Sequence, residues 1–120
     1  MIKLVKGLPE NVVGVSAHGQ VTGEDYEKVL IPAVESALES HDKIRVYYEI
    51  DSDFAGFDIG AMLADIRIGA GRLLHWERIA LVTDIPWIHN AMRLFSFMIP
   101  AQTRTFEIAD AEAAKAWIVE

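Results

Sequence analysis

The sequence predicts one α/β domain, in which helices cover a mostly parallel sheet that has an antiparallel N-terminal hairpin. Short runs of β-branched and aromatic residues alternate with longer segments of helical periodicity, which is typical of strand–helix–strand units. Turn residues separate the first two predicted strands at hairpin spacing. A chain of 120 residues normally closes a single core. We therefore expect one domain over residues 1–120, with the element order ββαβαβαβα.

The first elements are a hairpin and a helix. Residues 2–6 and 12–18 are predicted strands. Thr22 and Asp25, three residues apart, form a capping-box pattern that predicts the start of the first helix. Pro32 predicts a bend in it, because proline lacks a backbone donor. Six residues at helical spacing form its apolar face: Tyr26, Leu30, Ala33, Val34, Ala37 and Leu38.

Three further strands are predicted over residues 43–50, 77–84 and 103–108, because each is short and rich in residues that favour strands. The second predicted helix begins near Phe57 or Asp58. Its inner arc contains Ile59, Met62, Leu63, Ile66, Ala70 and Leu73.

The third predicted helix begins at Pro86 and runs to about Ile99, where Pro100 stops it. Residues 109–119 predict a terminal alanine-rich helix that Trp117 anchors. The inner arc of the third helix is expected to contain Trp87, Ile88, Ala91, Met92, Leu94, Phe95, Met98 and Ile99.

Charge and composition exclude several classes of function. Eighteen acidic and eleven basic residues give a net charge of −7, which repels nucleic acid. The absence of cysteine excludes disulfides and thiolate chemistry. The sequence has neither a leader pattern after Met1 nor an apolar stretch of the roughly 20 residues that span a membrane. We expect a cytoplasmic protein without a transmembrane segment.

Residues 14–19, GVSAHG, nearly match the nucleophile elbow of serine hydrolases, but His18 stands where the second glycine belongs. Ser16 and His18 are two apart in a strand and share a face, toward no obvious acid. We interpret them as ordinary strand residues, predict no catalytic residue, and expect that mutating Ser16 does not abolish an activity.

The sequence also predicts no metal site and no cofactor. The four histidines lack the spacing that lets two imidazoles on one helix bind one ion. Asp51, Asp53 and Asp58 surround the turn before the second helix and leave two interpretations open. They bind a hard divalent cation, or Asp51 and Asp53 solvate a loop while Asp58 supports a helix N-terminus; the sequence favours the second.

Some apolar residues lie away from the predicted inner faces. Phe57, Ala61, Ala64 and Ile68 form a second stripe on the second helix, and Phe97 falls among polar residues of the third. These surfaces either pack against each other within the domain or bind a partner. The candidate partner-binding residues are Phe57, Asp58, Ala61, Ala64, Ile68, Trp87, Arg93 and Phe97.

The element order and three segments, residues 49–62, 78–87 and 103–117, resemble the bacterial SpoIIAA-like family. That family is related to STAS domains and, more distantly in fold, to CRAL-TRIO lipid-binding domains. STAS domains of the anti-sigma-factor-antagonist type carry a phosphorylatable Ser or Thr where the second helix begins. The matching position here falls around Phe57, Asp58 and Ile59, none of which has a hydroxyl group. The resemblance therefore implies that this chain has the regulatory position of its relatives but lacks their phosphorylatable residue.

The resemblance leads to a non-enzymatic, cytoplasmic protein-interaction module, expected to be a homodimer or to bind another protein. The alternative is a carrier of a small apolar ligand or lipid that uses the Trp87 and Met98 side of the third helix as a pocket wall. An enzyme ranks third.

Overall fold

The computed structural model describes residues 1–58, 60, 67, 75–97 and 99–120. The strands are β1 (Ile2–Leu4), β2 (Val12–Ala17), β3 (Gln20–Val21), β4 (Ile44–Ile50), β5 (Gly56–Phe57), β6 (Trp76–Val82) and β7 (Gln102–Phe106). A five-stranded sheet has the strand order β1-β2-β4-β6-β7. β1 runs antiparallel to β2 and the remaining neighbours are parallel, so the predicted fold class is confirmed.

The short strands β3 and β5 form a second, parallel sheet that the sequence does not predict. Phe57, predicted at the start of the second helix, lies in β5 instead. A two-residue strand is too short to show periodicity, and its pairing depends on a residue distant in sequence. Residues 60 and 67 are helical as predicted, and Asp58 is not helical. The other residues of that predicted helix, 59, 61–66 and 68–73, lie outside the described residues.

The first predicted helix forms as a continuous stretch with three parts: α1 (Gly23–Asp25), a π-helical segment (Tyr26–Leu30) and α2 (Ile31–Ser40). The capping box of Thr22 and Asp25 is present with both bonds. Burial acts to raise the pKa of Asp25, but hydrogen bonds from Thr22 and the nearby Met1 amino group outweigh it and lower that pKa. The π-helical segment ends just before Pro32, where the sequence predicts a bend.

Helices cover both faces of the main sheet. The first helical stretch and α3 (Pro86–Phe95) contribute to the core on one face. α4 (Ala111–Val119) follows a short 3-10 helix (Ile108–Asp110) and packs on the other face. α3 ends four residues before the predicted Ile99, in a turn at residues 96 and 97.

Alternating residues of the strands serve the two cores, as the pleat requires. Val46 and Leu81 pack under the first helical stretch, whereas Tyr47 and Ala80 face α4. Burial and a hydrogen bond donated to Glu49 raise the pKa of the Tyr47 phenol. None of the helices in the described residues is long and apolar enough to cross a membrane.

Candidate functional site

The carboxyl ends of β2 and β4 bring three polar side chains together. The strands are parallel neighbours, with Ala17 beside Ile50, so the loops that follow them leave the same edge of the sheet. His18 follows β2, and its Nδ1 lies 3.2 Å from Asp51 Oδ2 and 3.6 Å from Asp53 Oδ1 in the loop after β4. The interpretation that no acid faces His18 is therefore wrong.

Further hydrogen bonds hold this cluster in place. His18 Nε2 lies 2.9 Å from Ser16 Oγ on the same strand face. The Ser52 amide donates to Asp51 Oδ1 at 2.7 Å, which leaves Oδ2 directed at the imidazole. The Asp51 amide donates to the Ala17 carbonyl at 3.0 Å. His18 and Asp51 are thus each joined by a hydrogen bond to a residue of β2.

A serine, a histidine and an aspartate in this order resemble the relay of a serine hydrolase. Acyl transfer also needs backbone N–H groups that are free to stabilise an oxyanion. Ser16 instead lies inside a strand with neighbours on both sides, beside Lys3 of β1 and Glu49 of β4. The His18 amide donates to the Met1 carbonyl. The geometry is therefore better suited to binding a cation than to acyl transfer.

Asp58, at the regulatory position implied by the resemblance, bonds across the domain. Its Oδ1 accepts a 3.1 Å hydrogen bond from the Gly23 amide at the start of α1. Sequence reasoning assigned Asp58 to the start of its own helix and missed this distant acceptor role. A side-chain carbon at Gly23 would lie 3.1 Å from backbone atoms of Gly60, so the two segments approach closely here.

The second candidate region is an apolar face on α3. Trp87 is 57% exposed, Leu94 is 72% exposed, and Phe97 in the following turn is 86% exposed. Trp87 and Leu94 are seven residues apart, so they share one face of the helix. Both were predicted on the inner arc, which is wrong: Ile88 and Met92 provide the contact with the core.

The other predicted partner-binding residues are dispersed. Arg93 is exposed on α3. Phe57 is half-buried and packs edge-to-face on Phe54 with ring centroids 4.8 Å apart, against the main core. Ala61, Ala64 and Ile68 lie outside the described residues.

Two clefts lined by described residues contain charged side chains. One, of about 570 Å³, lies between α2 and the β1–β2 hairpin, and Lys6, Glu10 and Glu39 are among its lining residues. The other, of about 530 Å³, lies beyond the ends of β6 and β7, where Asp84 and Glu107 line it. Both linings include charged side chains, and Trp87 lines neither cleft.

Comparisons with known proteins identify a family and a fold. A family model described as SpoIIAA-like matches residues 12–119. Among solved structures, the chain is similar to an uncharacterized protein of the DUF3478 family with a SpoIIAA-like fold from Shewanella loihica PV-4. The identity is 23% and the TM-score 0.77, over 98% of this chain and 93% of that chain. No curated protein matches the sequence.

Proposed function

Because this chain belongs to the SpoIIAA-like family, we propose that it is a non-enzymatic protein-interaction module that binds through α3. The observation that carries the proposal is the exposure of three large apolar side chains, Trp87, Leu94 and Phe97, on one short segment. Aromatic anchors of this kind often dominate the energy of an interface. We call these three residues the α3 apolar face.

A second copy of this chain is the first partner to test. The net charge of −7 disfavours close approach of two copies in general. A dimer therefore depends on a local apolar contact, and the α3 apolar face provides one with Arg93 as its neighbouring cation. If the partner is another protein, the resemblance to anti-sigma-factor antagonists favours a regulatory protein.

Binding is not expected to be switched by phosphorylation at the start of the second helix. Residues 53–82 contain no serine, threonine or tyrosine, so no side chain in this range carries a hydroxyl group. A fixed carboxylate, Asp58, is present there and bonds to Gly23. We therefore expect partner binding not to depend on phosphorylation at this position.

Analytical ultracentrifugation of the wild type and of a Trp87→Ala, Phe97→Ala double variant tests the proposal. We expect a wild-type dimer and at least a tenfold weaker dimer in the variant, because truncating two aromatic anchors removes about 2 kcal/mol or more of binding energy. Leu4→Ala is the matched control, since Leu4 is also exposed but lies on β1.

Two results would contradict the proposal. One is a dimer that the double variant leaves unchanged. The other is a wild type that stays monomeric at high concentration and also captures the same proteins from a cell extract as the double variant. In either case, the α3 apolar face is not an interface.

The alternative function, transport of a small apolar ligand, has weaker support. Such ligands bind in enclosed, mostly apolar cavities. The two clefts described above include charged side chains, and Trp87 lines neither of them. The proposal therefore stays with a protein partner.

A further inference from the structure

We propose that His18, Asp51 and Asp53 form a binding site for a divalent transition-metal ion. The site lies at the carboxyl ends of β2 and β4, and it is independent of the proposed interaction through α3. Three kinds of observation support it: the distances between the possible ligand atoms, the hydrogen bonds that orient them, and the local charge.

The spacing of the ligand atoms suits one ion. Imidazole nitrogen and carboxylate oxygen bind Zn²⁺ at about 2.0–2.2 Å, so two ligands of a tetrahedral ion lie about 3.4 Å apart. Nδ1 of His18 is 3.2 Å from Asp51 Oδ2 and 3.6 Å from Asp53 Oδ1, and all three ligand atoms lie within 4.8 Å of one another. Both distances measured from His18 Nδ1 are therefore close to the ligand–ligand distance of a tetrahedral ion.

Neighbouring groups orient the ligands as metal sites require. A metal-bound histidine usually donates its second N–H to an acceptor that fixes the ring. Here Nε2 is 2.9 Å from Ser16 Oγ, so the tautomer with a proton on Nε2 leaves the Nδ1 lone pair available. The Ser52 amide holds Oδ1 of Asp51, and Oδ2 remains for the ion. Ser16 is thus a positioning residue in this proposal.

The charge of the cluster favours a cation. Two carboxylates face one imidazole, and no lysine or arginine of the described residues forms an ion pair with either of them. The Met1 amino group bonds to the His18 carbonyl but forms its ion pair with Asp25. A divalent ion would neutralise both carboxylates.

The ligand set indicates the class of ion. Imidazole favours Zn²⁺ and its first-row neighbours over Mg²⁺ and Ca²⁺, which prefer oxygen ligands alone. The Asp53 side chain is 64% exposed, so water can occupy a fourth position. Three protein ligands and an accessible fourth position are typical of sites that exchange their ion or bind a small ligand through it, rather than of closed structural sites.

Isothermal titration of the metal-free protein with ZnCl₂ tests the proposal. We expect one ion per chain, and at least tenfold weaker binding by His18→Gln and by Asp53→Asn. Because Asp53 is exposed, Asp53→Asn is expected to fold normally, which circular dichroism checks. Ser16→Ala is expected to weaken binding about tenfold or more without removing a ligand, as loss of an orienting partner does at other metal sites.

His75→Gln is the matched control, because Nδ1 of His75 lies 3.9 Å from a single carboxylate, that of Asp42. We expect this variant to bind Zn²⁺ like the wild type. The proposal is overturned if the wild type does not bind Zn²⁺, or if His18→Gln and Asp53→Asn bind as tightly as His75→Gln. The two proposals are tested separately. A variant that loses dimerisation but still binds Zn²⁺ affects only the interaction through α3, and a variant that loses Zn²⁺ binding but still dimerises affects only the metal site.

Discussion

Two tryptophans on two short helices have opposite environments. Trp117 on α4 is 8% exposed, whereas Trp87 on α3 is 57% exposed. Both helices follow a parallel strand and lie against the same sheet. Trp117 packs beside Phe106, with ring centroids 6.2 Å apart. The two rings differ because Trp117 lies on the side of its helix that packs against the sheet, whereas Trp87 lies on an exposed side of its helix.

The sheet also holds the end of α4 directly. Arg78 donates to the Trp117 carbonyl at 2.8 Å, and Arg45 donates to the Ile118 carbonyl at 2.9 Å. These cations bind carbonyls of the last helical turn, where positive charge interacts favourably with the helix dipole; the Trp117 carbonyl also accepts from the Glu120 amide at 3.2 Å. Arg78 also lies 5.1 Å from the centre of a Trp117 ring. At the end of α3, by contrast, the Ser96 hydroxyl donates to the nearby Arg93 carbonyl, which is a purely local bond.

The largest expected effect comes from Trp117→Ala. We expect the free energy of unfolding to fall by about 3–5 kcal/mol, because the change leaves a cavity in the core. Trp87→Ala removes the same ring from an exposed position, so we expect the free energy of unfolding of the monomer to change by no more than about 0.5 kcal/mol. Urea denaturation of both variants measures the difference. Equal losses would show that the contrast between the two tryptophans is absent in solution.

Arg78→Ala is expected to have an intermediate effect. It removes the hydrogen bond to the Trp117 carbonyl and the cation beside the indole, which together contribute about 1–3 kcal/mol. Arg93→Ala, on the exposed side of α3, is the control, and we expect a change within about 0.5 kcal/mol. A loss no larger than the control's would mean that the sheet does not hold the end of α4.

The smallest effect on stability is expected for Phe97→Ala. Phe97 is exposed, so its truncation leaves no cavity. We expect the free energy of unfolding of the monomer, measured by urea denaturation, to stay within about 0.5 kcal/mol of the wild-type value. Leu94→Ala is a second exposed position that is expected to behave alike. A loss of about 3 kcal/mol or more would mean that Phe97 is buried in solution and would exclude it as an interface anchor.

Sequence patterns predicted most of the fold correctly because they are local. The capping box of Thr22 and Asp25 forms as predicted, and the predicted apolar face of the first helix supplies Tyr26, Leu30 and Val34 to the core. The strands over residues 44–50 and 76–82 are within two residues of their predicted bounds. The exposure of Leu94 was not predicted, since periodicity identifies an apolar arc wider than the surface that the sheet covers.

The sequence by itself determined the fold class, the main strands and the face of the first helix that enters the core. Each of these depends on propensity, capping or side-chain period among residues that are close in the chain. Only the tertiary structure decided that Asp51 and Asp53 face His18, that Asp58 bonds to Gly23, and that Arg78 lies beside Trp117. The first two contacts arise because parallel strands end at the same edge of the sheet, and the third arises because the end of α4 packs beside the first residues of β6.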